Sequence, residues 1–112
     1  MSVQNEFVSY LLEGLQPLGR VTGKRMFGSY GLFMGGLMFA LVTDETLYLK
    51  SGPEIERWFN EQNLPSFTYQ RQGKQIALGY RLAPDSLLDD PLELCEWALR
   101  SYQVACNAHK VR

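Results

Sequence analysis

Residues 29–50 read SYGLFMGGLMFALVTDETLYLK, and they carry the clearest secondary-structure signal of the chain. Two apolar runs are joined by Gly35-Gly36, and a tight hairpin turn needs the positive φ that glycine adopts easily. Asp44-Glu45 makes a second short turn into another apolar run. The pattern predicts a three-stranded antiparallel meander.

The segment before the meander predicts a helix followed by a less regular stretch. Apolar side chains recur every four positions over residues 3–15, with Ser2 placed to cap the helix and Pro17 and Gly19 placed to end it. Residues 20–27 then add either a short strand or an irregular lead-in to the meander.

A second helix is predicted directly after the meander. Ser51 and Glu54 have the spacing of a capping box, in which each side chain bonds a free backbone N–H of the first turn. Ile55, Trp58 and Phe59 follow at helical spacing and form its apolar face.

The C-terminal part predicts a second hairpin and a last helix. Residues 67–82 form two strands around a turn at Gln72-Gly73, and Asp90-Pro91 begins the helix. The predicted fold class is α+β: an antiparallel sheet with helices packed on it, in the order α-β(3)-α-β(2)-α.

Length and composition favour one domain. The chain has 112 residues, of which 46% are hydrophobic, and this is enough for one core. We predict a single domain over residues 1–107, with residues 108–112 as a frayed tail or the start of a linker.

Charge and cysteine content constrain the partners and the compartment. The formal net charge of -1 disfavours direct DNA binding by this domain alone, since DNA-binding domains usually carry a basic surplus. Cys95 and Cys106 lie on one predicted helix about 16 Å apart, too far to form a disulfide. That suits a reducing compartment, and no signal peptide or apolar span is evident. The predicted location is cytoplasmic.

No catalytic, metal-binding or cofactor-binding constellation is found in the sequence. His109 is the only histidine and lies in the predicted tail. Asp85, Asp89 and Asp90 lack the spacing of a calcium loop, and the glycine pairs match no phosphate-binding motif. We therefore predict no enzyme, no metal and no cofactor.

Two sets of residues suggest a contact surface. Met26, Met34 and Met38 alternate with phenylalanines, which is typical of a core, but strand alternation forces some of the set outward. Basic residues form two groups, which are either solvated charges or contacts to an anionic partner. The first group is Arg20, Lys24 and Arg25; the second is Arg71, Lys74 and Arg81, interleaved with Tyr69 and Tyr80.

Several short motifs, taken in order, resemble the N-terminal domain of the TfoX/Sxy family of bacterial competence regulators. The motifs are Arg25-Met26-Phe27-Gly28-Ser29-Tyr30-Gly31-Leu32, Met38-Phe39-Ala40-Leu41-Val42, Leu47-Tyr48-Leu49-Lys50, Phe67-Thr68-Tyr69, Tyr80, and Asp90-Pro91 with Trp97-Ala98. The resemblance runs from about residue 7 to residue 101.

This resemblance implies a fold like that of type III secretion chaperones and a role without catalytic residues. It also implies transcriptional control of DNA-uptake genes, exerted together with the cyclic-AMP receptor protein as partner. Longer members of the family add a C-terminal domain of similar size.

We predict a protein-interaction domain whose contact surface comprises Arg20, Lys24, Arg25, Tyr30 and Gly35. The alternative is a homodimeric, chaperone-like module that binds a peptide on a sheet face or edge. A third hypothesis is an enzyme that acts on a small molecule, which would need several titratable groups directed into one pocket.

Overall fold

The computed structural model describes residues 3–26 and 28–110. Three helices and six strands are connected in the order α-β(4)-α-β(2)-α, with short 3₁₀ turns at Gln16–Leu18 and Asp85–Asp89. The helices are α1 (Val3–Gly14), α2 (Glu56–Asn60) and α3 (Pro91–Lys110). The strands are β1 (Val21–Met26), β2 (Ser29–Met34), β3 (Leu37–Thr43), β4 (Thr46–Lys50), β5 (Ser66–Arg71) and β6 (Lys74–Leu82).

All six strands form one antiparallel sheet in the order β1-β2-β3-β4-β6-β5. The predicted α+β class and element order are confirmed, and the open question about residues 20–27 is answered by β1, a full strand paired with β2. The predicted cap Ser2 and the motif residue Phe27 lie outside the described residues.

Three hairpin turns lie where the sequence predicts them, and Gly35-Gly36 has the positive φ expected from it. The central residues have positive φ in each: 59° and 80° at Gly35-Gly36, 52° and 57° at Asp44-Glu45, and 52° and 79° at Gln72-Gly73. Two successive positive φ values fit a primed turn, whose twist matches that of the flanking strands. These turns fix the register of the sheet.

The core lies between one face of the sheet and the helices. Leu32, Phe39 and Leu49 are fully buried from the sheet side, and Leu11 of α1 and Trp97 of α3 meet them from the helix side. Burying such side chains contributes roughly 1.5–3 kcal/mol each. This layer supplies most of the driving force for folding.

The predicted capping box is wrong, because α2 begins later than expected. The N-cap is Ile55, with no side-chain hydrogen bond, while the Ser51 N–H donates to the Gly79 carbonyl 2.8 Å away. That bond extends the pairing of β4 with β6. Ser51 therefore continues the sheet instead of starting a helix.

The last helix begins as predicted and continues further. The Glu93 N–H donates to Asp90 Oδ1 at 3.2 Å, which is an N-cap bond. The helix runs through Ala108 and His109, both exposed, to Lys110. Cys95 and Cys106 are free thiols, as expected from their separation. The domain boundary at residue 107 stays a prediction.

Candidate partner-binding groove

The helices pack on one face of the sheet, and we call the opposite side the open face. Within the described chain, this face carries a groove of about 820 Å³. Its lining is mostly apolar and comes from five strands: Met26, Ser29, Met38, Leu41, Phe67, Tyr69, Arg71, Leu78 and Tyr80.

Strand alternation explains why these residues share a face. Phe39 and Val42 of β3 belong to the core, so Met38 and Leu41 point to the open side. A bulge in the β2–β3 register between Leu32 and Phe33 adjusts the alternation. The extra residue lies on β3, so Phe39 and Ala40 both belong to the core, while Met38 pairs with Phe33 on the open face.

A glycine without room for a side chain lies beside the groove. A Cβ on Gly31 would lie 2.6 Å from Met38 Sδ and 2.9 Å from Phe33 Cε1, both closer than van der Waals contact allows. Glycine at this position lets the two large side chains cover β2. Gly31 thus permits the apolar surface next to the groove.

One side of the groove is formed by residues 66–78 of the second hairpin, which we call the arm. The pairing of β5 with β6 contains a bulge between the pairs Ser66↔Arg81 and Thr68↔Ala77. Over this interval β5 advances by two residues (66 to 68), whereas β6 advances by four (81 to 77). Such a bulge bends the bulged strand. Residues of the arm and residues of β1 and β2 line the same groove. The bend therefore places the arm opposite β1 and β2 across the open face.

The bulge contains Gly79. Its φ is +80°, a conformation that is costly for residues with a Cβ, and no atom lies within 4 Å of where a Cβ would be. Its carbonyl accepts the hydrogen bond from the Ser51 N–H, which anchors the arm to the end of β4. Gly79 is therefore the point at which the arm leaves the main sheet.

Tyr80 is the most enclosed polar group of the groove. Its ring is 6% exposed, and its hydroxyl donates to the Met38 carbonyl across 3.4 Å. Burial raises the pKa of Tyr80 to about 12, so the phenol is neutral at physiological pH. The Lys50 ammonium lies 5.3 Å from the ring centroid. Tyr80 therefore serves as a wall of the groove, with a cation beside it.

The aromatic rings of the arm are held in place. The Tyr48 and Phe67 rings meet edge to face, with centroids 5.0 Å apart, and this contact joins β4 to the arm. Leu78, by contrast, is 45% exposed, although it is a large apolar side chain. Leu78 thus adds an exposed side chain to the mostly apolar lining of the groove.

The charges around the groove have one sign. None of the six strands contains an Asp or Glu, so all twelve acidic residues of the chain lie in helices, turns and loops. Four cations belong to the open face: Lys24 by its alternation with Met26, Lys50 over Tyr80, Arg71 in the lining and Lys74 paired with Arg71. The open face is basic although the chain as a whole is not.

The five residues predicted to bind a partner are not brought together by the fold. Lys24 lies on the open face beside the groove, whereas Arg25 and Tyr30 are paired on the helix side of β1 and β2. Arg20 precedes β1, and Gly35 lies in the turn beside the Tyr102 hydroxyl of α3. Their role as contacts stays a prediction.

Arg81, from the second basic group, has a structural role. Its Nε donates to the Leu64 carbonyl at 2.9 Å and its guanidinium donates to Asn60 Oδ1 at 3.0 Å. Glu56 lies 4.0 Å away, and the guanidinium also lies over the Phe59 ring. Arg81 therefore joins β6 to α2, while Arg71 and Lys74 are exposed.

The other candidates raised by the sequence do not converge on a site in the described residues. Asp90 caps α3, and the Ser86 hydroxyl donates to Glu93 at 3.1 Å nearby. No group of three His, Cys, Asp or Glu side chains within residues 3–26 and 28–110 could hold a metal ion. No helix in these ranges is long and apolar enough to cross a membrane.

The sequence analysis identified several residues that line the groove but did not predict that they lie together. Met26 and Met38 were recognised as part of an apolar surplus, and Tyr69 and Tyr80 as aromatics between basic residues. Leu78 was missed. Alternation along β6 could have placed it with Tyr80 on one face.

Two curated proteins are similar to this chain. Protein Sxy of Escherichia coli is 28% identical over 100 residues, which cover 89% of this chain and 48% of that protein. DNA transformation protein TfoX1 of Aliivibrio fischeri is 35% identical over 66 residues, which cover 59% of this chain and 32% of that protein. The chain thus spans about half the length of Sxy, and the match covers about a third of TfoX1.

The family comparison covers the groove. Residues 13–105 match the TfoX N-terminal domain, and every residue that lines the groove lies within this range. The match extends over most of the chain, and it agrees with both relatives. The chain belongs to the TfoX N-terminal domain family.

Proposed function

We propose that this chain is a non-catalytic regulatory domain that acts by binding a protein partner in the open-face groove. In line with the family, the proposed duty is control of DNA-uptake genes, with the cyclic-AMP receptor protein at promoters as the partner. The observation that carries the proposal is an apolar groove of about 820 Å³ on the side of the sheet that no described helix covers.

The chemistry of the lining supports binding over catalysis. The polar side chains of the groove are Ser29, Tyr69, Arg71 and Tyr80, and none of them is a carboxylate, imidazole or thiol. The raised pKa of Tyr80 keeps its phenol protonated and unsuited to act as a base near neutral pH. Methionine and aliphatic side chains instead provide an adaptable apolar surface.

The size of the groove also suits a segment of a macromolecule. Small-molecule sites of this volume usually enclose most of their ligand. This groove instead lies on a sheet face, between β1–β2 and the arm. A peptide or helix can enter from the side. The homodimeric alternative uses the same face, and sedimentation tests it below.

The proposal is tested by calorimetric titration of the folded chain into the cyclic-AMP receptor protein bound to cyclic AMP and a promoter fragment. Leu78→Glu places a charge in the groove and should weaken binding by at least about tenfold, since it replaces an apolar contact with a charge that the partner would bury. Leu99→Glu is the matched control. Leu99 is 42% exposed on α3, and Leu78 is 45% exposed.

Two results would count against the proposal. The first is no binding by the folded wild-type chain at any accessible concentration. The second is an equal loss of affinity in Leu78→Glu and Leu99→Glu, which would move the contact away from the open face.

A further inference from the structure

The distribution of charge identifies the chemistry of the groove's ligand, and this inference rests on the proposed function. We infer that the groove binds an acidic amphipathic helix of the partner protein. The apolar side of that helix lies on Met38, Leu41 and Leu78, and its acidic flanks face the cations around the groove.

The dimensions of the sheet fit a helix. Six strands at about 4.8 Å spacing span roughly 24 Å from β1 to β5, and the bend at Gly79 curls this span into a trough. A helix with its side chains is roughly 10–12 Å wide. One helix can lie on β3 with β1–β2 on one side and the arm on the other, which is the helix-in-groove mode of recognition.

Charge complementarity selects an acidic helix. Lys24, Lys50, Arg71 and Lys74 surround the groove, and no strand supplies an acid to neutralise them. Arg81, the remaining cation of β6, is engaged by Glu56 and by carbonyl and amide oxygens on the helix side. The four open-face cations are therefore available to steer and orient an anionic ligand.

A second copy of the chain fits less well than an acidic helix. Face-to-face pairing would bring the four cations of one copy against those of the other. Docking the helix side of one copy, where acidic residues lie, in the groove of another copy would give a head-to-tail interface. Such interfaces form a closed ring only if the rotation between neighbouring copies closes on itself. The charges therefore oppose self-association through this face.

Single-stranded nucleic acid also fits less well. Base stacking needs exposed ring faces. Among the aromatic rings here, Tyr80 is buried, the Tyr48 and Phe67 rings meet edge to face, and Tyr69 is half-buried. The exposed large apolar side chain of the groove lining is the aliphatic Leu78. Aliphatic and methionine side chains suit the leucines of a helix better than they suit bases.

The test uses two synthetic helical peptides with an identical leucine stripe, one with glutamate and one with lysine at every flanking position. Fluorescence anisotropy measures their binding to the wild-type chain at low and high salt. The glutamate peptide should bind at least tenfold more tightly than its lysine twin, and added salt should reduce the difference. The variant R71E should abolish or reverse the preference, whereas R57E, which changes an exposed arginine of α2 on the helix side of the sheet, should keep it.

Several results would overturn the inference. These are equal binding of the two peptides, an equal effect of R57E and R71E, displacement of the peptide by oligothymidine at a lower concentration than unlabelled peptide, or sedimentation as a dimer that L78E makes monomeric. Binding of the cyclic-AMP receptor protein complex without binding of the acidic peptide would overturn the inference and leave the proposed function standing. The converse result would overturn the named partner and support the inference.

Discussion

The two faces of the sheet are built from the same strands but carry side chains with different exposure. On the helix side, Leu32, Phe39 and Leu49 are at most 1% exposed and pack against α1 and α3. On the open side, Leu78 is almost half exposed, and the apolar residues around it line a groove. A strand in which both alternating sets are apolar has material for a core and for a contact surface.

Charge separates the two faces as well. The acidic residues are confined to helices, turns and loops, and the charged residues that the strands contribute to the open face are all cations. On the helix side Arg81 is held by several oxygen atoms, whereas Arg71 and Lys74 of the open side are exposed. The helix face holds the core, and the proposed contact surface lies on the open face. Substitutions can test that division.

The largest expected difference lies between two leucines of opposite faces. Leu49→Ala should lower the free energy of unfolding by about 3 kcal/mol, because Leu49 is 1% exposed in the core and truncation leaves a cavity. Leu78→Ala should cost less than about 1 kcal/mol, since solvent already reaches its side chain. Urea unfolding measures both. Similar costs would mean that the open face is a second core.

A smaller effect on the free energy of unfolding is expected from ionisation of Tyr80 at alkaline pH. Its pKa is raised from 10.0 to about 12 by burial, so the unfolded chain loses the phenolic proton first as pH rises. Stability from this group is therefore complete below pH 10 and is lost as pH rises through about 12. The loss is about 2 kcal/mol, from a difference of about two pKa units with allowance for partial solvent access.

Comparison with Tyr80→Phe isolates this contribution from the other tyrosines. Relative to the variant, the wild-type chain should lose stability between pH 10 and about pH 12, measured by urea unfolding at each pH. The tyrosinate absorbance of the native protein should also show one late-titrating group that the variant lacks. An unchanged titration curve in Tyr80→Phe would show that the groove wall is open to water.

Much of the fold could be predicted because its signals are local. Turn residues and alternation identify the meander and the second hairpin, and Asp90-Pro91 identifies the start of α3. The capping box failed because Ser51 has a stronger alternative: its N–H pairs with Gly79 in the sheet. That competition depends on a residue far along the chain and cannot be read from the local pattern.

The groove was harder to predict because it depends on two bulges. The bulge in β3 puts Phe39 and Ala40 on the same face, although neighbouring strand residues normally alternate. The bulge at Gly79 interrupts a segment that reads as one continuous strand, and only the bend makes the arm face β1 and β2. The sequence predicted a surplus of apolar residues and basic residues interleaved with aromatics. It did not predict that these residues meet at one groove.

The smallest expected effect on stability comes from Gly79→Ala, and it tests whether the bulge positions the arm. Gly79 has φ +80° and Gly73, at the hairpin tip, has φ +79°, and neither has an atom within 4 Å of the position of a Cβ. Alanine at either site should therefore cost about 1 kcal/mol through backbone strain alone.

The two variants should differ in their effect on the groove. Gly79→Ala should move the arm, lower the pKa of Tyr80 towards 10 and weaken partner binding. Gly73→Ala should leave the arm, the pKa of Tyr80 and partner binding unchanged. Urea unfolding, tyrosinate titration and calorimetry measure the three quantities. Equal behaviour of the variants in all three would mean that the open face keeps its shape without the bulge, and that the contrast between the faces comes from strand alternation alone.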